Sequence, residues 1–213
     1  MSNNKLTILG FSEPVLTMIF DNLESLNWFP QIEIVNNLQI EPRHAYINNK
    51  FDTTIVSSMP EKTDLLFLGV NKAINKQKVS KLFLEHWSKM TNVINKSVEI
   101  SSTVNMGFGC MINSHVSIAG QTKIGNYVTI NRNASVGHHS NLGDYVTVNP
   151  GAHIAGFVTI GKGTTIGMGA YIIDGIEIGK NVIIGAGALV TKNIESNVVA
   201  YGNPCKVIRK NEN

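Results

Sequence analysis

The sequence predicts two kinds of structure in one chain: a small α/β domain over residues 1–90 and an all-β parallel β-helix over residues 91–193, followed by a tail of residues 194–213. Two observations predict this division. Short apolar runs alternate with amphipathic segments before residue 91, whereas an aliphatic residue or methionine recurs at every sixth position from Ile94 onward. Alternating strands and helices build parallel sheets, and a short fixed repeat builds a solenoid.

The N-terminal residues are typical of a Rossmann-like α/β domain. Short apolar runs predict buried strands, and longer stretches with apolar residues at helical spacing predict helices. Ser12 and Pro14 suit the N-cap and first turn of the first helix. The predicted elements are strands at Lys5–Gly10, Ile32–Val35 and Asp64–Val70 and helices at Glu13–Leu26 and Lys78–Trp87. Together they predict a small parallel sheet with helices.

The repeat in the second half of the chain is unbroken. Its positions are Ile94, Ile100, Met106, Ile112, Ile118, Ile124, Ile130, Val136, Leu142, Val148, Ile154, Ile160, Ile166, Ile172, Ile178, Ile184 and Val190. With roughly half of all residues apolar, the chance of such a run in one chosen phase is on the order of 10⁻⁵. In a solenoid each six-residue strand points one aliphatic side chain inward, and stacked coils bury a shared core. An ordinary sandwich of short strands would not keep this period.

Three six-residue strands close one triangular coil, so residues 18 apart are predicted to stack. The residue after each aliphatic position then sorts into three columns. These are Asn95, Asn113, Asn131, Asn149, Gly167 and Gly185; Gly125, Gly143, Gly161 and Gly179; and Ala119, Gly137, Ala155, Ile173 and Thr191. Glycine and asparagine tolerate positive φ, so these columns are predicted to form the sharp corners, and stacked asparagines to hydrogen-bond to each other. The pattern does not give the handedness.

Composition excludes several classes of protein. The net charge of +3 and the scattered lysines and arginines do not form the basic stripe of a nucleic-acid surface. Cys110 and Cys205 match no metal or redox spacing, so reduced thiols are expected. The N-terminal residues lack the apolar region of a signal peptide, and no apolar stretch is long enough to span a membrane. We therefore expect a cytoplasmic protein without nucleic-acid or membrane partners.

Several segments resemble the hexapeptide-repeat acetyltransferases. They are IGNYVTI, VGHHSNLGDYVTVNPG and HIAGFVTIG, all between Ile118 and Val190, and GNPCKVI at Gly202–Ile208. They are most similar to the branch that acetylates nucleotide-linked 4-amino sugars for surface glycans, which also includes sialic acid O-acetyltransferases. The resemblance implies a left-handed β-helix, a homotrimer with active sites at subunit interfaces, acetyl-CoA as cosubstrate, no metal, and N-acetyl transfer to a nucleotide-linked amino sugar.

The resemblance places the catalytic base at His138, within Val136-Gly137-His138-His139. Independently, the residues 18 positions before and after His138 are glycines, Gly120 and Gly156, which leaves room for a ligand beside the imidazole. A histidine can take the proton of the attacking amine at neutral pH, and no acyl-enzyme is required. Relatives commonly have Asp or Glu after the base, whereas this chain has His139, which can hydrogen-bond but is not an anion.

Other residues are assigned ligand contacts by the same resemblance. Asn131 matches an acceptor-contacting asparagine, although its place in the asparagine column is an equally good structural explanation. Thr147 matches a position where relatives often have a CoA-contacting histidine. Met168 and Ala186 match positions whose backbone meets the pantetheine arm, and Lys192 is one of the cations near the last coil that could meet CoA phosphates.

In relatives the N-terminal domain holds the nucleotide, with a glycine-rich turn after the first strand and an acidic pair after the second. Gly10 and Ser12 occupy the turn here, but Glu13 puts negative charge in the first turn of the following helix, where a phosphate would bind. Asn36 and Asn37 replace the acidic pair and can hydrogen-bond to a base or ribose. Gly10, Ser12, Asn36 and Asn37 are therefore the candidate substrate contacts.

Three other functions fit parts of the sequence. O-acetylation of a sugar such as sialic acid would use the same base. A metalloenzyme like γ-carbonic anhydrase could use His115, His138, His139 and His153, but none of these stacks on another at an 18-residue step. A catalytically inactive scaffold would explain the altered N-terminal turn.

Overall fold

The computed structural model describes residues 4–36, 50–61, 63–82 and 89–212. The chain forms two compact units, Met1–Lys96 and Ser97–Asn213. Of the helices that the described residues form, none is long and apolar enough to cross a bilayer.

The N-terminal unit is built on a four-stranded parallel sheet. Its elements are β1 (Lys5–Leu9), α1 (Glu13–Ser25), β2 (Gln31–Val35), β3 (Thr53–Val56), β4 (Leu65–Leu68), α2 (Ala73–Leu82) and β5 (Val93–Ile94). The strand order is β3-β2-β1-β4, and every pair is parallel. The central strand β1 is buried almost throughout, and α1 buries one apolar face that includes Leu16 and Ile19. The three predicted strands and the first helix are confirmed.

Two details of this unit differ from the prediction. Helix α2 begins at Ala73, five residues before the predicted start at Lys78, and residues 83–88 of the predicted helix lie outside the described residues. Its buried residues are Lys76 and Ser80, so apolar periodicity could not mark its start. Strand β3 was not predicted because it is a half-exposed edge strand with Ile55 on its open side.

Ser12 occupies the N-cap of α1, as predicted, but its side chain makes no capping hydrogen bond. The backbone carbonyl of Ser12 instead accepts hydrogen bonds from the amides of Val15 and Leu16. The expected side-chain cap is therefore wrong, and the helix start depends on the backbone and on Pro14 in the first turn.

The second unit consists of very short strands that each end on a residue of the six-residue repeat. These strands are β6 (Glu99–Ile100), β7 (Asn105–Met106), β8 (Met111–Ile112), β9 (Ser117–Ile118), β10 (Lys123–Ile124), β11 (Thr129–Ile130), β12 (Ser135–Val136), β13 (Asn141–Leu142), β14 (Thr147–Val148), β15 (His153–Ile154), β16 (Thr159–Ile160), β17 (Thr165–Ile166), β18 (Tyr171–Ile172), β19 (Glu177–Ile178), β20 (Ile183–Ile184) and β21 (Leu189–Val190). Two longer strands, β22 (Val198–Tyr201) and β23 (Lys206–Lys210), follow.

The strands form three parallel sheets, which are the three faces of a β-helix. One face runs β22-β20-β17-β14-β11-β8, with β23 added antiparallel at its end; the second runs β21-β18-β15-β12-β9-β6, and the third runs β19-β16-β13-β10-β7. Neighbouring strands pair at the predicted 18-residue step, as when Ile130 pairs with Val148 and Val136 with Ile154. The repeat residues from Ile112 to Val190 are buried, so the predicted inward position is confirmed.

The corners lie two residues later than the sequence suggested. Positive φ recurs at every sixth residue from Gly109 to Gly187, which is the third residue after each aliphatic position. Several corners also have a backbone hydrogen bond such as that from Ala134 N to Asn131 O, so each corner resembles a type II turn with its third residue left-handed. Tyr127 and His139 take this conformation although they are not glycine or asparagine.

The glycine columns have a different cause from the one predicted. A Cβ on Gly137 would lie 2.4 Å from the backbone carbon of Ala155 on the next coil, and one on Gly167 would lie 2.4 Å from that of Gly185. These glycines do not have positive φ. They are required because consecutive coils approach too closely there for a side chain. The asparagine ladder is confirmed between Asn113 and Asn131, whose side-chain amides are 3.1 Å apart.

We expect Gly167→Ala to destabilise the β-helix more than Gly169→Ala. The added Cβ at position 167 would meet fixed backbone, which we expect to cost about 3 kcal/mol. Gly169 has a φ of 63° but nothing within 4 Å of its missing Cβ, so only the left-handed penalty of about 1 kcal/mol applies. Thermal unfolding midpoints of the two variants test this, and equal midpoints would contradict it.

Tyr127 is a large buried side chain in one of these corners. It is 2 % exposed, its ring stacks on Tyr145 with 5.1 Å between centroids, and the ring of Phe108 meets it edge-on. Burial, with smaller contributions from Tyr145 and Asp144, raises the pKa of Tyr127 well above its usual value of 10.0. The folded chain therefore keeps the phenolic proton at a pH where the unfolded chain loses it.

Stability should consequently fall as the pH rises above about 10, because the folded state then binds more protons than the unfolded state. Tyr127→Phe removes this titration, so its unfolding midpoint should fall less between pH 8 and pH 10.5 than that of the wild type. Tyr201→Phe, at an exposed tyrosine, is the control and should behave as the wild type. Parallel pH curves for Tyr127→Phe and the wild type would exclude this role of Tyr127.

Candidate active site

His138 and His139 are the two central residues of one corner turn of the β-helix. His139 takes the left-handed position with a φ of 57°, and His138 precedes it, so both side chains project outward and are exposed. The turn is tied to both neighbouring coils by hydrogen bonds from His139 N to Gly120 O at 3.0 Å and from Phe157 N to His138 O at 2.9 Å. The repeat therefore presents two imidazoles on a fixed backbone.

Buried hydroxyls add to this anchoring. Thr122 Oγ1 donates to the carbonyl of Gly137 at 3.0 Å, and Ser140 Oγ donates to the carbonyl of Ala155 at 3.1 Å. Ser140 Oγ also accepts from the amide of Val158. Because buried hydroxyls with several partners have little freedom, the residues on both sides of the two histidines are held in place.

The two imidazoles contact each other and a third aromatic ring. His138 Nδ1 and His139 Nδ1 are 3.2 Å apart, which is hydrogen-bond distance, so one ring donates and the other accepts. The ring of Phe157, 18 residues after His139, stacks on His139 with 4.9 Å between centroids and meets His138 edge-on at 5.0 Å. Phe157 is 54 % exposed, so it adds an apolar surface beside the histidines.

The other edge of His138 lies over Gly156. A Cβ on Gly156 would be 2.7 Å from His138 Cε1 and 3.0 Å from His138 Nε2, so the ring occupies the space that this glycine leaves. The predicted stacking of His138 on Gly156 is confirmed. Gly120 differs, because its missing Cβ points towards the hydroxyls of Ser101 and Thr103. The same point above Gly156 is 2.9 Å from Asp174 Oδ1, which brings a carboxylate to this site.

Asn131 lies inside the asparagine ladder. Its Oδ1 accepts from Asn113 Nδ2, its Nδ2 donates to the carbonyl of Val148 at 3.1 Å, and its side chain is buried. Because both ends of the amide are engaged within the β-helix, the geometry favours the structural explanation of Asn131 over contact with an acceptor.

The candidate CoA residues lie in different surroundings. Thr147 is on β14 between Thr129 and Thr165 and is 6 % exposed, so it offers a ligand little surface. Met168 and Ala186 are exposed and follow corner glycines, and the carbonyl of Met168 accepts from Gly187 N. Lys192 is exposed just after the last strand of the repeat.

In the N-terminal unit, Gly10 and Asn36 follow the adjacent parallel strands β1 and β2. The amide of Gly10 donates to the carbonyl of Val35, and Gly10 has a φ of 91°. Both residues, with Ser12, therefore lie at the carboxyl edge of the sheet, where α/β proteins bind ligands. The loop after β4 reaches the same edge, since Gly69 approaches the carbonyl of Gly10 so closely that a Cβ would be 2.4 Å away. Asn37 lies outside the described residues.

The four histidines of the metalloenzyme alternative occupy three separate turns or strands. His138 and His139 are adjacent, His115 is in another corner, and His153 on β15 lies 2.9 Å from Ser135 Oγ and beside the ring of Tyr171. Among the residues with described positions, no group of three histidine, cysteine or acidic side chains could hold a metal ion.

Sequence reasoning missed Phe157 and Asp174. The 18-residue step could have found both, because Phe157 is one coil after His139 and Asp174 is one coil after Gly156. What the step does not give is the direction of each side chain, and therefore which members of a column meet.

The repeats and the fold both have known counterparts. The family described as "Bacterial transferase hexapeptide (six repeats)" matches residues 139–173 and 157–192. No curated protein sequence is significantly similar to the chain. Among solved structures, the acetyltransferase domain of PglB from Neisseria gonorrhoeae in complex with acetyl coenzyme A superposes with a TM-score of 0.85 and 22 % identity, over 97 % of this chain and 100 % of that one.

Two further structures are similar over nearly the whole chain. PerB from Caulobacter crescentus, in complex with CoA and GDP-perosamine, has a TM-score of 0.84 and 24 % identity over 97 % of this chain and 98 % of that chain. WeeI from Acinetobacter baumannii has a TM-score of 0.81 and 21 % identity over 96 % of this chain and 100 % of that chain.

These likenesses define the protein as a hexapeptide-repeat, left-handed parallel β-helix with an N-terminal α/β unit. The fold class predicted from the sequence is therefore confirmed, and so is the resemblance to hexapeptide-repeat acetyltransferases in both repeat and fold. The particular proteins that share this two-part fold include PglB, PerB and WeeI.

Proposed function

We propose that the chain is an acetyl-CoA-dependent N-acetyltransferase that acts on a nucleotide-linked amino sugar in surface-glycan biosynthesis, with His138 as general base. The observation that carries this proposal is the imidazole of His138, exposed on an anchored turn with its Nε2 edge open over Gly156. Support also comes from the fold, which is shared with an acetyltransferase domain that holds acetyl coenzyme A and with PerB, which holds CoA and GDP-perosamine.

The proposed reaction is a direct transfer. The acceptor nitrogen attacks the thioester carbonyl, a carbon–nitrogen bond forms, and the carbon–sulfur bond breaks. His138 Nε2 takes the proton that the nitrogen loses and returns it to the departing thiolate, which leaves as CoA thiol. The proton and the electron pairs balance without an acyl-enzyme, an oxidant or a metal.

The bond between the two imidazoles assigns a role to His139. If His138 donates its Nδ1 proton to His139 Nδ1, then Nε2 of His138 keeps a lone pair and can act as the base. We propose this tautomer for the active form. His139 then fixes the orientation of the base by accepting a hydrogen bond, which is the part of an acidic neighbour's role that a neutral imidazole can perform.

We propose that the pantetheine arm of CoA lies beside the exposed residues Met168 and Ala186 and that Lys192 meets its phosphates. All three are exposed, and the first two stack at the 18-residue step. Thr147 contributes less, because its hydroxyl is almost completely buried.

For the N-terminal unit we propose that the nucleotide binds at the carboxyl edge of the sheet, at Gly10, Ser12 and Asn36. The order β3-β2-β1-β4 makes the ends of β1 and β4 the point where the chain's connections diverge, which is where nucleotides bind in such sheets. Glu13 at the start of α1 disfavours a phosphate directly at the helix end, so the base or ribose is the better match for Asn36.

We further propose a homotrimer with active sites at the subunit interfaces. Large apolar side chains of the β-helix are exposed in the single chain, including Met168, Tyr171 and Ile173. Their burial between subunits would be favourable, because removing apolar surface from water stabilises association.

We expect thiol release from acetyl-CoA when the purified protein is mixed with one of a panel of UDP-, dTDP- and GDP-linked amino sugars. Spectrophotometric detection of free CoA thiol measures the turnover, and mass spectrometry shows the added acetyl group on nitrogen. Turnover only with a free sugar hydroxyl, such as that of sialic acid, would instead establish the O-acetyltransferase. Failure with every acceptor would contradict both enzymatic functions and favour the scaffold.

We expect His138→Ala to keep the trimer but to lower kcat to roughly 10⁻² to 10⁻⁴ of the wild-type value, since that is the contribution of a general base. His115→Asn is the matched control, because His115 is also an exposed histidine in a left-handed corner and asparagine tolerates that conformation. Gel filtration and steady-state kinetics test this. Near-normal turnover by His138→Ala would remove His138 as the base.

A further inference from the structure

A carboxylate shares the space above Gly156 with His138. The position where Gly156 lacks a Cβ is 3.0 Å from His138 Nε2 and 2.9 Å from Asp174 Oδ1, so these two atoms are at most 5.9 Å apart. His138, Gly156 and Asp174 occupy one column at steps of 18 residues. The outer two side chains therefore converge across the coil between them because its residue in this column is a glycine.

This placement complements the two histidines. The Nδ1 edge of His138 faces His139, which is another imidazole, whereas its Nε2 edge faces the carboxylate of Asp174. The nitrogen that would take the proton and the oxygen of Asp174 thus face the same open space. Asp174 and His138 are both exposed on the β-helix, so an acceptor can reach them.

The separation suits one amino nitrogen between the two groups. A tetrahedral nitrogen with two hydrogen bonds of about 2.9 Å spans about 4.7 Å between its partners, which lies within the 5.9 Å bound. A carboxylate binds a cationic ammonium more strongly than a neutral hydroxyl, because charge-assisted hydrogen bonds are about twice as strong. The arrangement therefore favours an amine as the nucleophile.

We propose that Asp174 is a catalytic residue that binds the acceptor's amino group and holds it against His138 Nε2. This inference rests on the proposed function and specifies the acceptor chemistry of the same site. Asp174 supplies the carboxylate that position 139 lacks, from two coils away in the β-helix. The ammonium first binds to Asp174, its proton is lost, and the resulting amine attacks while His138 accepts the second proton.

The first test compares Asp174→Asn and Asp174→Glu with the wild type, using the amino-sugar nucleotide that gives turnover. Loss of a hydrogen bond to a charged group should lower kcat/KM for the acceptor about ten- to a hundredfold in Asp174→Asn. The KM for acetyl-CoA should stay within about twofold, and Asp174→Glu should recover part of the loss. Glu177→Gln, which removes an exposed carboxylate from β19 in the same part of the repeat, is the charge-matched control and should be unaffected.

The second test moves both groups without removing either. A Cβ in Gly156→Ala would lie 2.7 Å from His138 Cε1 and 2.9 Å from Asp174 Oδ1, so the ring and the carboxylate must separate. Neither is backbone and Gly156 does not have positive φ, so the fold should persist while kcat/KM for the acceptor falls about tenfold or more. Gly120→Ala, one coil before His138, meets only hydroxyls of Ser101 and Thr103 and should keep activity.

The outcomes separate this inference from the proposed function. If His138→Ala is inactive while Asp174→Asn keeps kcat/KM for the acceptor within about twofold of wild type, the role of Asp174 is wrong and that of His138 stands. If Asp174→Asn raises only the KM for acetyl-CoA, Asp174 contacts the cosubstrate and the inference is also wrong. If the wild type transfers no acetyl group to any amino sugar, the proposed function itself fails.

Discussion

The stacking of each coil on the next at an 18-residue step is the constraint on which the β-helix depends. Every backbone ladder uses it, as in the bond from Gly137 N to Ile154 O at 2.8 Å, and the inward aliphatic residues meet in the core because of it. A coil with one residue more or less would turn its polar side chains inward, so the repeat tolerates no insertion in the run from Ile94 to Val190. The corners then adopt whatever conformation closes the coil.

This constraint explains why the core was predictable and the corners were not. The period alone gives the inward residues, the strand pairing and the neighbours of each position. The corner conformation was assigned to glycine and asparagine columns by their intrinsic freedom, but the left-handed residues include Tyr127, Tyr145 and Phe157. Packing between coils imposes that conformation on residues that do not favour it, so residue type is a poor guide there. The glycines are instead needed where the backbones of two coils meet.

The candidate site divides in the same way. His138 and its neighbour Gly156 followed from the period and the resemblance, whereas Asp174 and Phe157 required the directions of side chains on different coils. In the N-terminal unit the central strands were predicted by their apolar runs. The start of α2 was not, because its buried positions are Lys76 and Ser80, and tertiary packing rather than hydrophobic pattern determines where that helix begins.

A solenoid also offers a physical route by which a catalytic group can move in sequence without moving far in space. Neighbours in a column are one coil apart, and a glycine between two of them lets the outer side chains converge, as His138 and Asp174 do over Gly156. An acidic group beside a base can therefore come from the next residue or from a residue two coils away. On this argument the imidazole of His139 keeps the orienting hydrogen bond, the carboxylate of Asp174 supplies the negative charge, and the two roles of one acidic neighbour are divided between opposite edges of the same ring.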